Sequence, residues 1–230
     1  MSAPTLLTIR PEPGLSATLA RARDAELAMT GHPLFAARPL AWQAPDAGRV
    51  DGLLLGSANA VRCAGTELAA VARLPAYCVG AETAKVAADV GITVCKVGTG
   101  NLQDLLDSLA GERLHLLRLA GEVHTPVRPP VNIEITTRHV YAMDALPLPS
   151  ALATRLKKGA IVLLHSGEAA AHFAAECDRL GISRDAVGLA ALAPRIAGRA
   201  GTGWRCCAAA TVPNDAALLA VAARMCKEWR

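Results

Sequence analysis

Aromatic residues are scarce, 3% of 230, which argues against a stacking platform for single-stranded nucleic acid. There is no Cys-x-x-Cys pair, and the six histidines never fall at H-E-x-x-H or H-x-x-x-H spacing, so local sequence assembles no metal site. No apolar run approaches the roughly 18 residues of a membrane span. The stretch 1–14 lacks the Lys-led apolar segment of an export signal, which places the chain in the cytoplasm and off the membrane. Gly98-Thr99-Gly100 runs on into Asn101-Leu102-Gln103, and no G-x-G-x-x-G follows any strand, so a dinucleotide-dependent enzyme is disfavoured. Nor is charge of one sign in large excess: the net +4 suits an anionic small molecule at least as well as a nucleic acid.

What is abundant is apolar: 52% hydrophobic against 19% charged, enough to bury a sizeable core in one large or two small domains. The seven cysteines are odd in number and scattered, mostly in apolar runs such as Tyr77-Cys78-Val79, and read as buried reduced thiols.

Short runs rich in Leu, Val and Ile alternate with Ala/Leu segments of helical period, the pattern of an α/β protein with parallel sheets covered on both faces. Thr5 to Ile9 reads as a strand, followed by a helix placing Leu15, Leu19, Ala22, Ala25 and Met29 on one stripe, with Gly31 beyond its end. Further strands are expected at 53–55, 77–79, 92–97, 114–119, 161–164 and 187–192. A last helix is expected from Asn214, after Pro213, burying Leu218, Val221 and Met225.

The second half of the chain replays the first. Leu53 to Ser57 matches Ile161 to Ser166 in type (166 − 57 = 109), Arg10 at a strand end matches Arg118 (118 − 10 = 108), and Asn101 matches Asn214 (214 − 101 = 113). Val79-Gly80-Ala81 likewise matches Leu192-Ala193-Pro194. Two extended segments, Pro33 to Trp42 and Ile133 to Met143, lack helical period and read as crossings between two similar lobes. The expected plan is a discontinuous α/β domain (1–36 with 147–230) and an inserted one (43–137). Connectors at 37–42 and 138–146 form a two-stranded antiparallel hinge.

The blocks LLLGSANAV (53–61), CVGAETA (78–84) and VLLHSGEAA (162–170), the strand ending Arg10-Pro11, His139-Val140-Tyr141, and Thr211-Val212-Pro213 resemble, in order and spacing, those of uroporphyrinogen-III synthases. The resemblance spans nearly the whole chain. It implies a cofactor-free monomeric enzyme that takes hydroxymethylbilane, removes its terminal hydroxyl, and closes the ring through a spiro intermediate with one pyrrole inverted. Hand-over of substrate from hydroxymethylbilane synthase belongs to the same expectation. Departures from the family pattern fall at Leu55-Gly56, where the family commonly has a phenylalanine-threonine pair. They also fall at Ala193-Pro194-Arg195-Ile196, where it has Gly-Pro-Thr-Thr, and at Leu119-Ala120-Gly121, where it has Arg-Gly. Thr125 to Val131 is too proline-rich for the helix usual there.

Tyr141, matching a family tyrosine, is the candidate general acid; packing of a connector is the plainer role. Ser57 and Ser166 sit at strand–helix junctions, where they can meet a ligand or simply cap. Thr83 in an early helical turn is a further substrate contact. Arg10, Arg62, Arg118, Arg138 and Arg195 are candidate carboxylate partners because a guanidinium offers a planar fork, with Arg10 and Arg138 foremost and Arg195 standing in for the missing threonines. His165 beside Ser166 makes no hydrolase dyad, since adjacent strand residues face opposite ways. The competing reading of the whole chain is a two-lobe tetrapyrrole-binding protein without catalysis.

Overall fold

The computed structural model describes residues 4–229. The chain divides into two compact units, Met1–Ala36 with Ala145–Arg230, and Ala37–Asp144. It opens with β1 (Thr5–Thr8), α1 (Gly14–Asp24), β2 (Met29–Gly31) and β3 (Phe35–Pro39). The second unit then runs β4 (Gly52–Leu55), α2 (Ala58–Arg62), β5 (Ala76–Val79), α3 (Ala81–Asp89), β6 (Val94–Gly98), α4 (Leu102–Asp107), β7 (Leu114–Gly121) and β8 (Ile133–Ala145). The return to the first unit supplies α5 (Ser150–Leu156), β9 (Ala160–Leu164), α6 (Gly167–Arg179), β10 (Val187–Ala191), α7 (Pro194–Arg199), β11 (Cys206–Ala209) and α8 (Asp215–Lys227).

Each unit is built on a parallel sheet flanked by helices. The first is ordered β11-β10-β9-β1-β2, the second β6-β5-β4-β7-β8 with β3 at its edge. Reading β9, β10, β11, β1 and β2 against β4, β5, β6, β7 and β8 gives the same order, so the internal repeat is a repeat of topology. Leu40 N–H donates to Val140 O, and Leu146 N–H to Leu34 O, so β3 and β8 run antiparallel. Strand β9 shows why the runs are continuously apolar: Ile161 and Leu163 join α8 residues Leu218 and Ala222, whereas Val162 and Leu164 join α6 residues Phe173 and Cys177.

Local chemistry sets the boundaries. Asn214 caps α8 by accepting from Ala217 N–H at 2.9 Å, and Leu218, Val221 and Met225 are buried as expected. Asn101 and Asp104 form a capping box at α4. The helix after β1 is shorter than its apolar stripe suggests. Glu26 turns left-handed (φ 56°), Leu27 N–H reaches back to Ala22 O, and Met29 enters β2 instead. Strand β11, Cys-Cys-Ala-Ala, carries no β-branched residue and gave no periodic signal. The segment between β7 and β8, holding Pro126, Pro129 and Pro130, is free of helix as expected.

Strand register and thiol burial also differ from expectation. The repeat does not pair Arg118 with Arg10: Leu163 aligns with Thr8 and Leu54 with Arg118, and 54 + 109 = 163, so Arg118 stands at the position of Thr8, inside the strand. And only Cys63, Cys78 and Cys177 of the seven free cysteines are buried; Cys95 and Cys207 are exposed. Burial pushes the thiols of Cys78 and Cys177 up to about 11 and about 12, which makes them inert packing groups.

Glu176 of α6 is buried, accepts Leu148 N–H at 2.6 Å, and takes two bonds from Arg179 at 2.6 and 2.7 Å. The Arg179 fork, with help from Leu148 N–H and against burial, holds its carboxyl at about 2, below its ordinary 4.5. A depressed carboxylate stabilises the fold fully above its unfolded value, and that contribution fades as pH falls from about 4.5 toward 2. Urea midpoints of the wild type and Glu176→Gln are therefore expected to converge across that window; parallel curves would remove Glu176 from the acid limb.

Candidate active site

Both sheets end, at the carboxyl termini of their central strands, in a cavity, the place where open parallel sheets bind ligands. In the first unit a cavity of about 620 Å³ is lined by Arg10, Arg21, His165, Ser166 and Asp215. Its centre is Asp215, whose side chain is 10% exposed. The carboxylate accepts from Arg21 at 2.6 Å, His165 Nε2 at 3.0 Å, the Thr18 hydroxyl at 3.1 Å and Arg10 at 3.3 Å. Burial pushes this carboxyl up, but His165, Arg10 and the Thr18 hydroxyl outweigh it and leave it below the ordinary carboxylate value. Burial, then Arg10, push His165 below its ordinary value against the pull of Asp215. His165 is thus neutral at pH 7 and donates Nε2–H to the carboxylate, an acceptor only, and its buried Nδ1 has no partner among the described residues. Ser166 caps α6 through Ala169 N–H at 3.1 Å.

In the second unit the corresponding cavity, about 360 Å³, is lined by Gly56, Ser57, Asn101, Leu102, Arg118 and Tyr141, with the loop 123–127 over it. Gly56 stands where the first unit has His165 (165 − 56 = 109), and Leu102 where it has Asp215 (215 − 102 = 113). The repeat has therefore diverged into one cavity organised by a carboxylate and one with no acidic wall. Tyr141 packs against Gly121, where a Cβ would stand 2.9 Å from the phenol Cζ; any larger residue would push the ring aside. Ser57 caps α2 by accepting Asn59 N–H at 3.2 Å, which leaves its hydroxyl proton to donate elsewhere.

The structure thus places Ser57 with Tyr141 in one unit, and Arg10 with Ser166 in the other. Thr83 is buried on the inner side of α3 and lines neither cavity. Arg138 lies on β8 opposite Leu119 and donates to Gln43 O and Thr137 O, away from both cavities. Arg195 is exposed on α7 with no partner among the described residues, and Arg62 is held by Glu82 at 2.6 Å. Asp215, Thr18 and Arg21 escaped the sequence reading. Thr18 and Arg21 share a face of α1 by their i, i+3 spacing, but nothing local ties that face to residue 215. Among the described residues no cluster of three His, Cys, Asp or Glu is placed to hold a metal ion.

A model of the family uroporphyrinogen-III synthase HemD matches residues 32–220. The chain belongs to that family. It is accordingly an enzyme, a lyase of tetrapyrrole biosynthesis acting on a small-molecule tetrapyrrole. The uroporphyrinogen-III synthetase of Helicobacter pylori 26695 shares the fold, with a TM-score of 0.68 at 15% identity over 96% of this chain and 99% of that one. A mutant uroporphyrinogen III synthase from the extremely thermophilic bacterium Thermus thermophilus aligns over 98% of this chain and 100% of that one at 15% identity, with a TM-score of 0.48. No curated protein sequence matches. The HemD blocks quoted from the sequence, 53–61 and 162–170, prove to be the strand–serine–helix junctions at the rims of the two cavities.

Proposed function

We propose that this HemD-family chain converts hydroxymethylbilane to uroporphyrinogen III with Tyr141 as the general acid and the acid-free cavity of the second unit as the place where the hydroxymethyl end of the substrate reacts. The observation that carries the assignment is the cavity wall itself: a phenol, a serine hydroxyl and a guanidinium converge there, and no Asp or Glu does. Tyr141 gives its proton to the departing hydroxyl, which leaves as water. The pyrrole nitrogens of the substrate carry the resulting cation, so the protein's task is mainly to hold a flexible polyanion in a ring-closing geometry and to exclude the uninverted closure. Arg138 and Arg195 line neither cavity and take no part; Ser57 and Ser166 orient the substrate through their hydroxyls, and Arg10 meets its carboxylates. Arg10 does so by exchanging part of its long contact with Asp215. Thr83 contributes through the packing of α3.

On the same proposal, 1–36 with 147–230 form one folding domain, 43–137 are its insertion, and 37–42 and 138–146 are the connectors. The protein is a cytoplasmic monomer that needs no cofactor and receives hydroxymethylbilane from the synthase that makes it. No helix among the described residues is long and apolar enough to cross a membrane. The deciding experiment is product analysis: incubation with freshly generated hydroxymethylbilane, oxidation, and chromatographic separation of uroporphyrins I and III. Isomer III is expected to dominate. Isomer I at the buffer-only rate would sink the proposal and favour a binding protein without catalysis.

A further inference from the structure

We infer that Arg118 is the carboxylate anchor of this site, receiving one acidic arm of the tetrapyrrole in the cavity it shares with Tyr141 and Ser57. The inference rests on the reading above of that cavity as the reaction site. Arg118 is the one charged residue of strand β7 and the one buried arginine among the described residues, 6% exposed. Its protein bond is Nη2 to Thr125 O at 2.8 Å. By contrast, Arg10, Arg21, Arg38, Arg62, Arg179, Arg184 and Arg199 all have a carboxylate within 4.0 Å. Nε and Nη1 of Arg118 have no acceptor among the described residues and are not sealed from solvent, so they face the cavities that the residue lines.

Those cavities are two: the acid-free one of about 360 Å³ and a neighbour of about 960 Å³ that shares Arg118, His124, Pro126 and Val127 with it. The neighbour's walls do include Asp51 and Glu134, but Asp51 accepts His115 N–H at 2.7 Å, Glu134 is exposed, and neither forms an ion pair with Arg118. A guanidinium taken out of water without a counter-charge is costly, and a carboxylate presented to its fork recovers that cost through two parallel charge-assisted bonds. Burial accordingly lowers the Arg118 pKa, with the Tyr141 oxygen as a partial offset.

A purely structural role is disfavoured by the repeat. The same sheet position in the first unit holds Thr8, so the fold does not require a cation there. The loop that closes the cavity is also held in place: Gln103 donates to Arg128 O and accepts Arg128 N–H, both at 2.8 Å, and three prolines stiffen the chain beside it. Walls so held fit a site that receives a ligand without rearranging.

The test uses Arg118→Gln and Arg118→Lys in the full chain, with steady-state kinetics on hydroxymethylbilane and thermal shifts by uroporphyrin III as the readouts. Arg118→Gln is expected to raise KM about tenfold or more with kcat within a few-fold, to lose the uroporphyrin shift, and to melt no lower than wild type, because it removes an unpaired buried charge. Arg118→Lys, which keeps the charge without the fork, should fall between. Unchanged KM in both variants overturns the inference, as do equal uroporphyrin shifts in variant and wild type. If the wild type forms no isomer III, the reading of the reaction fails; the loss or retention of the uroporphyrin shift in the variants then still decides the anchor.

Discussion

Tyr141→Phe is expected to lower kcat by about a hundredfold or more, the usual contribution of a positioned general acid, with KM close to wild type. The phenylalanine keeps the ring against Gly121 and the strand pairing of β8, so the variant removes an oxygen and little else. Loss of the hydroxyl leaves the substrate's own hydroxyl to depart unassisted, and spontaneous closure then competes, so the fraction of uroporphyrin I should rise together with the fall in kcat. A kcat within about twofold of wild type would return Tyr141 to the plainer role of packing the strand. Gly121→Ala offers a check on position: its Cβ would meet the phenol ring, so it should damage turnover only if ring placement matters.

Phe173→Ala is expected to cost about 3–5 kcal/mol of stability, the range for deleting a fully buried aromatic. Phe173 is 0% exposed, packs with Leu7, Val162, Leu164 and Leu189, and stacks on Trp204 with ring centroids 5.7 Å apart and planes 22° from parallel. Its neighbours are strand residues held in register on both sides by β1 and β10, which restricts how far they can close around the void. Urea denaturation measures the loss, followed by tryptophan fluorescence, to which Trp204, packed against the affected core, contributes. A cost below about 1 kcal/mol would mean that the core collapses onto the gap and is softer than its packing implies.

The central strands β4, β9 and β10 were legible because each is a short continuous apolar run covered by helices on both faces. Helix starts were legible where a side chain closes the end: Ser57, Asn101, Ser166 and Asn214 all cap as their residue types suggest. The end of α1 was not, because a non-glycine residue, Glu26, takes the left-handed turn. Strand β11 was missed because Cys-Cys-Ala-Ala has no preference that separates strand from loop.

The family, the α/β class, the duplicated order of elements and the serine-bearing junctions could all be read along the chain. These rest on local periodicity and on blocks read in order along the chain. Which side chains meet could be read only from the folded chain. Asp215 gathers Thr18 and Arg21 from α1 and His165 from the end of β9, partners separated by 197, 194 and 50 residues. Arg118 looks, in sequence, like the counterpart of Arg10, and strand register moves it two residues inward to the position of Thr8. The reason is physical: apolar burial is written into each segment by its own period, whereas the pairing of a charge depends on which distant element folding brings against it.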